Sequence, residues 1–125
     1  MSQLAALQAP QIEGVGIKIE RPGQLSLTGT ITSLHPGTTL GPFLRAVHDA
    51  ALADGVKQLS VNVTGLTFVN SSAIRLFIDW AIWLKAVPET SRYKLVFDTD
   101  RTITWQRTSF LALRSLATGV VEIRS

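Results

Sequence analysis

The residues that could do chemistry are few. The sequence has two histidines and no cysteine, which excludes disulfides, thiolate nucleophiles and thiolate metal ligands. His35 and His48 do not form an HxxxH or HExxH pattern, so we expect no metal site. Either histidine could join Ser71 or Ser72 in a Ser-His-Asp triad by inventory alone, but there is no GxSxG elbow. Phosphate-binding glycine loops are missing too, so we predict a protein without catalytic activity or cofactor.

Ser71 and Ser72 are the remaining candidates for chemistry. They follow a strand-like run and precede a helical one, which places them at a predicted helix N-terminus. There a hydroxyl can accept a hydrogen bond from a free backbone N–H and cap the helix. It can also carry a phosphate, because free N–H groups and the positive end of the helix dipole stabilise negative charge. The residues themselves leave both roles open.

The elements that position these serines follow from hydrophobic periodicity. Alternation predicts strands at residues 15–19, 25–31, 56–63, 93–98 and 120–123. A period of 3.6 predicts helices from Thr38 or Thr39 to Ala53 or Asp54, from Ser71 or Ser72 to Lys85 or Ala86, and from Thr102 to Leu116. "RPGQ" between the first two strands is typical of a type II turn. The order ββαβαβαβ predicts an α/β protein with a mixed sheet of four to five strands and helices packed on it.

Composition indicates one globular domain. The chain has 125 residues, of which 46% are hydrophobic and 17% are charged, which suits a single core. Residues 1–13 are interpreted as a tail or weak leader strand, because Pro10 and Gly14 break any helix there. Residues 14–125 are predicted to form the domain. Expected core members of the last helix are Ile103, Phe110, Leu113 and Leu116.

Charge and hydropathy argue against two classes of partner. The net charge is +3, but the twelve Lys and Arg residues are scattered, so we expect no nucleic-acid binding. The longest apolar run, Ala73 to Leu84, contains Arg75 and Asp79 and is shorter than the roughly 20 residues of a membrane span. The first residues lack a signal-peptide pattern. We therefore expect a cytoplasmic protein that does not span a membrane.

The stretch "LSVNVTGLTFVNSSAIRLFI" carries a family resemblance. It resembles the core signature of STAS domains, the anti-sigma factor antagonist family, in which "D-L-S-G-V-x-F-x-D-S-S-G-L" separates an apolar strand from a helix. The matching residues here run from Asn62 to Ile74. "LSLTGTI" at residues 25–31 is similar to the second strand of the family, which ends in Leu-x-Gly. The resemblance covers residues 15–123 and implies a STAS-like fold.

The resemblance also implies a function. Members are small binding modules without catalysis, and many bind a serine kinase of the anti-sigma type that phosphorylates a serine in the signature. That acceptor corresponds to Ser71, with Ser72 as the second choice. The sequence departs from the family at Asn70, where an Asp is usual, at Ala73, where a Gly is usual, and at the polar loop of Thr30, Thr32 and Ser33, where an acid is common.

The helix after the serines carries two apolar stripes. Ile74, Phe77, Ile78, Ala81 and Leu84 suit burial on the sheet. Leu76, Trp80 and Trp83 form a second stripe, which either packs against a neighbouring helix or the N-terminal tail, or binds a protein partner. The predicted partner-binding residues are Asn70, Ser71, Ser72, Arg75, Leu76, Trp80 and Trp83.

Other functions stay open at this level. A STAS-type subunit of a transporter-associated or scaffold complex would use the same apolar stripe as a permanent interface, without a phosphorylation cycle. A lipid- or nucleotide-binding module would need a cavity with converging polar groups, and the sequence shows no such cluster. A homodimer is also compatible with the sequence.

Overall fold

The computed structural model describes residues 3–21, 23–32 and 36–125. Four helices are α1 (Gln3–Ala6), α2 (Leu40–Asp54), α3 (Ser71–Ala86) and α4 (Thr104–Leu116). Six strands are β1 (Val15–Arg21), β2 (Gln24–Ile31), β3 (Gln58–Asn62), β4 (Leu66–Val69), β5 (Lys94–Asp98) and β6 (Val121–Arg124). Short 3₁₀ turns lie at Pro36–Thr38 and Glu89–Ser91. No helix of these described residues is both long and apolar enough to cross a membrane.

The α/β class predicted from the sequence is confirmed, but the sheet is larger than predicted. Its order is β1-β2-β3-β5-β6, with β1 antiparallel and the other pairs parallel. The extra strand is β4, which pairs with the second half of β2 after β3 has ended. The prediction of four to five strands in the order ββαβαβαβ is therefore wrong by one strand and by the short helix α1.

The core lies between the helices and one face of the sheet. The parallel connections through α2, α3 and α4 run in the same direction along the sheet, and right-handed crossovers then place these helices on the same face. Leu25, Leu27 and Val61 point into that core and are buried. Ser60 and Asn62 alternate with the buried residues of β3 and face the opposite, more polar side.

Helix bounds agree closely with the periodicity. α2 ends where Gly55 adopts a left-handed conformation (φ 66°) and donates its N–H to the carbonyl groups of Ala51 and Leu52. α4 begins two residues later than predicted. Its buried residues are Gln106, Phe110 and Leu113, whereas Leu116 is 45% exposed. Leu116 is therefore not a core residue, because Ala117 takes the buried position one turn after Leu113.

The N-terminal segment contains the short helix α1, which the sequence interpretation excluded. The backbone N–H groups of Gln3 and Leu4 donate to the two carboxylate oxygens of Asp54 at 2.7 and 2.9 Å. Leu4 is buried in the core. A carboxylate fifty residues away thus satisfies the first turn of α1, and no local pattern predicts that contact. The domain boundary at residue 14 stays a prediction.

Several predicted loop features fall outside the described residues. They are Pro22 of the type II turn and Ser33, Leu34 and His35 of the loop before α2. Gly23, next to Pro22, has φ 87°, the positive value that the third position of a type II turn needs.

Candidate functional site

The junction between β4 and α3 is held by Asn70. Its backbone N–H donates to the carbonyl of Ile31 at 3.0 Å, which fixes the end of β4 beside β2. Its side-chain oxygen accepts from the N–H of Ala73 at 3.0 Å, with an extended backbone (φ −81°, ψ 170°). Asn70 is therefore the N-cap of α3. The predicted capping role of Ser71 or Ser72 is wrong.

Ser71 and Ser72 are the first two residues of α3, and both are exposed. The first turn of the helix contains no acidic residue. Its backbone N–H groups and the positive end of the helix dipole therefore lie beside the two hydroxyls without a competing carboxylate on the helix. An added phosphate is stabilised by such surroundings.

A line of side chains continues from Ser71 along the solvent side of α3. Residues seven and eleven positions after Ser71 return to within about 20° of it on a helix of 3.6 residues per turn. These are Ile78, which is partly buried, and Ile82, which is 49% exposed. Arg75 lies one turn after Ser71 and pairs with Asp79, at 3.3 Å between Nε and Oδ1. We call Ser71, Arg75, Ile78 and Ile82 the outer ridge of α3.

Trp80 does not belong to an exposed surface. It has no exposed area, and its indole N–H donates to the hydroxyl of Tyr93 at 2.7 Å. Its ring meets Phe97 edge-on, with 6.1 Å between the ring centroids. The prediction that Trp80 binds a partner is therefore wrong, because Trp80 is part of the core.

Leu76 and Trp83 face α2. Leu76 lies against Gly41, since a Cβ atom built on that glycine would lie 3.5 Å from the Leu76 Cδ2 atom. The Trp83 ring lies 6.0 Å from the His48 ring, and the guanidinium of Arg45 sits 5.0 Å from its centroid. Leu76 and Trp83 thus pack against α2, which is the packing alternative considered from the sequence, whereas Trp80 packs on Tyr93 and Phe97.

His48 is buried in that contact and bonded to Tyr93. Its Nδ1 atom lies 2.7 Å from the Tyr93 hydroxyl, which already accepts the Trp80 N–H. In the tautomer that carries the imidazole proton on Nε2, the Tyr93 hydroxyl donates to Nδ1 while it accepts from Trp80, so that its donor and an acceptor site are both used. Burial lowers the pKa of His48, with a smaller lowering from Arg45, and burial raises the pKa of Tyr93. None of the described hydrogen bonds of His48 reaches Ser71 or Ser72, so nothing supports a triad through His48.

A shallow groove lies on the other side of α3, against α4. Ile74, Ile78, Trp105 and Leu113 line it, together with Phe77, Ser109 and Phe110. The Trp105 indole N–H donates to the carbonyl of Thr67 at 3.0 Å, which fixes the start of α4 beside β4. Of the predicted inner stripe, Phe77, Ala81 and Leu84 are buried, whereas Ile74 and Ile78 line this groove. The groove adjoins the outer ridge at Ile78.

Sequence reasoning missed two residues of this region. Ile82 was assigned to neither stripe, although its helical angle from Ser71 places it on the outer ridge. Gln106 is fully buried, and its Nε2 donates to the carbonyls of Val63 and Leu66 at 2.7 and 2.8 Å. A glutamine on an otherwise amphipathic helix gives no signal that it holds the turn before β4.

The described residues contain no group of three or more His, Cys, Asp or Glu side chains that could hold a metal ion. Comparison of the chain with models of known protein families and with curated proteins finds no match.

Proposed function

We propose that this chain is a non-catalytic regulatory module that binds a protein partner through the outer ridge of α3 and is switched by phosphorylation of Ser71. The proposal starts from the resemblance of residues 62–74 to the signature of anti-sigma factor antagonists. The partner in this proposal is a serine kinase of the anti-sigma type. Ser72 is the second choice of acceptor.

The observation that carries the proposal is the position of Ser71. It is exposed, it is the first residue of α3, and it stands in line with Arg75, Ile78 and Ile82. A kinase can reach its hydroxyl without unfolding the helix. The hydroxyl lies about three turns, or roughly 16 Å, from Ile82 along the same line, which is a span that a protein interface of standard size can cover.

Phosphorylation would change the ridge through its charge. A phosphoserine adds about −1.5 to −2 charges at neutral pH. Arg75, four residues after Ser71, is within reach of such a phosphate and currently pairs with Asp79. A partner that desolvates Ile78 and Ile82 would then have to desolvate a dianion at the end of the same surface, and its affinity falls.

Asn70 keeps the geometry of the junction without the family carboxylate. Its side-chain oxygen makes the capping bond to Ala73 that an aspartate would also make. Because Asn70 is neutral, it does not repel a phosphate on the adjacent Ser71 as an aspartate at this position would. The substitution is therefore compatible with phosphorylation.

Phosphopeptide mass spectrometry of residues 65–75 from native cells tests the modification. Binding assays with candidate serine kinases then compare Ser71→Asp with Ser71→Ala, and Ser72→Asp serves as the matched control one residue along. We expect Ser71→Asp to bind at least about tenfold more weakly than Ser71→Ala. Equal binding by the two Ser71 variants would remove the switch from the proposal.

Docking on the ridge has its own test. Ile82→Arg places a charge on the outer ridge, while Leu111→Arg places the same charge at a residue of similar exposure on α4 (49% and 44%). We expect only Ile82→Arg to abolish partner binding, with unchanged thermal unfolding for both. Equal loss with both variants would argue against the ridge as the docking surface.

A permanent subunit of a larger assembly is the second candidate. The observation that favours it is the uncharged junction, in which Asn70 and the exposed Thr32 replace the acids common in phosphorylated relatives. Obligate co-purification with a partner, together with unmodified Ser71 in cells, would select this function over the switch.

A further inference from the structure

The outermost strand of the sheet, β1, has backbone groups that point away from its neighbour. Among the described strands β1 is terminal and pairs with β2 alone, apart from an isolated bridge between Val15 and Ile12. The N–H of Thr30 donates to the carbonyl of Gly14 at 2.9 Å. Because hydrogen-bonded and non-hydrogen-bonded pairs alternate along an antiparallel ladder, Ile17 and Ile19 then direct their N–H and C=O groups outward.

Among the residues that the structure describes, backbone hydrogen bonds from the N-terminal segment reach only the start of this edge. Val15 donates its N–H to Ile12 at 3.1 Å, and beyond it an open groove lies between Ala9–Glu13 and Ile17. Within residues 3–21, 23–32 and 36–125, no further backbone hydrogen bond reaches the outer side of Ile17 or Ile19. This free edge is a template for another strand.

The charges on β1 select how a second copy of the chain can pair there. Lys18 and Glu20 are both exposed. Antiparallel pairing centred on Lys18 would set two lysines opposite each other, which is destabilising. Pairing centred on Ile17 sets Lys18 opposite Gly16 and gains no charge pair. Pairing centred on Ile19 sets Lys18 opposite Glu20 twice, at a non-hydrogen-bonded position where the side chains are closest.

We propose that two copies of this chain associate by antiparallel pairing of their β1 strands about Ile19. The backbone groups of Ile19 bond to their symmetry mates, and two Lys18–Glu20 pairs flank them. The register of β1 with β2 shifts after Ile19, which keeps the pairing short and the association weak. The two-fold axis is perpendicular to the sheet, so both helix layers lie on the same side and the outer ridge of α3 stays accessible. The proposal is thus independent of the proposed function.

Sedimentation equilibrium of the full chain, from micromolar to millimolar concentration, measures the association. Lys18→Glu and Glu20→Lys each create two like-charge pairs, and we expect each to weaken the dimer by about tenfold or more. The double variant restores the pairs with reversed sign and should recover wild-type association. Lys57→Glu, at an exposed residue outside β1, lowers the net charge by the same amount as Lys18→Glu and should leave association unchanged.

A backbone variant gives an independent readout. Ile19→Pro removes an outward N–H but no bond to β2, and proline is tolerated on the free side of an edge strand. We expect this variant to be a folded monomer by circular dichroism and sedimentation. If it does not fold, the double charge-reversal variant tests the pairing instead. A wild type that stays monomeric up to millimolar concentration overturns the proposal, as does equal association of the single and double charge variants.

Discussion

The two sides of α3 have different surroundings, although both carry large apolar side chains. The side with Trp80 and Trp83 packs on Tyr93 and α2, and the indole N–H of Trp80 donates to the Tyr93 hydroxyl. The outer ridge presents Ser71 and Ile82 to solvent. Tryptophan is enriched at binding hot spots, yet here the tryptophans hold the fold and an isoleucine marks the candidate docking surface. Residue type alone therefore does not separate the buried side of this helix from its exposed side.

Truncation of one residue on each side should give the largest contrast. We expect Trp80→Ala to lower the free energy of unfolding by about 3–5 kcal/mol, because it leaves a cavity among Tyr93 and Phe97. Ile82→Ala, only two residues further along the same helix but on its opposite side, should change it by less than about 0.5 kcal/mol. Urea unfolding measures both. Similar losses for the two variants would contradict the division of α3 into a covered and an open side.

Periodicity predicted α3 but not what covers it. The bounds of α3 and α2 follow from apolar spacing together with Pro88 and Gly55, which are local signals. The angle of Trp80 around the helix follows from the same spacing. What covers that angle depends on α2 and Tyr93, which are distant in sequence, so the sequence left packing and partner binding as alternatives.

Strand β4 and the cap of α3 were missed for the same physical reason, because both are set by contacts with β2, which is distant in sequence. β4 is four residues long and contains the 49% exposed Phe68, so it shows no clean alternation, and its pairing with β2 defines it. The cap was ambiguous because Asn70, Ser71 and Ser72 are all good capping residues. The bond from Asn70 to Ile31 ends the strand at that residue and so decides which of the three caps the helix.

Substitutions of Asn70, at the junction between β4 and α3, should change the free energy of unfolding by less than Trp80→Ala does. Asn70→Ala removes the cap of α3 and should lower the free energy of unfolding by about 1 kcal/mol. Asn70→Asp keeps an acceptor for the Ala73 N–H and adds a negative charge at the helix N-terminus, so it should be as stable as the wild type or more so by about 0.3–1 kcal/mol. Chemical denaturation compares them, with Ser72→Ala as the neighbouring control. Equal destabilisation by Ala and Asp would exclude capping as the role of this side chain.

Acidification should destabilise the fold by protonating His48, which packs against the covered side of α3. Burial holds its folded-state pKa below the ordinary value of 6.5, so below pH 6.5 the unfolded chain binds more protons than the folded one. Stability should therefore fall as the pH decreases from 6.5 toward the folded-state pKa, while this residue contributes no pH dependence at higher pH. Protonated Nδ1 can no longer accept from Tyr93, and Arg45 adds repulsion that Asp49 only partly offsets.

Removal of the titrating group isolates this effect. His48→Asn keeps an acceptor for the Tyr93 hydroxyl and should flatten the loss of stability between neutral pH and about pH 5, measured by urea unfolding at each pH. His35→Asn removes the other histidine of the chain and serves as the matched control, which should retain the slope. If His48→Asn keeps the slope and His35→Asn loses it, the acid sensitivity does not arise at the α2–α3 contact. The two sides of α3 would then differ in packing alone and not in their response to protons.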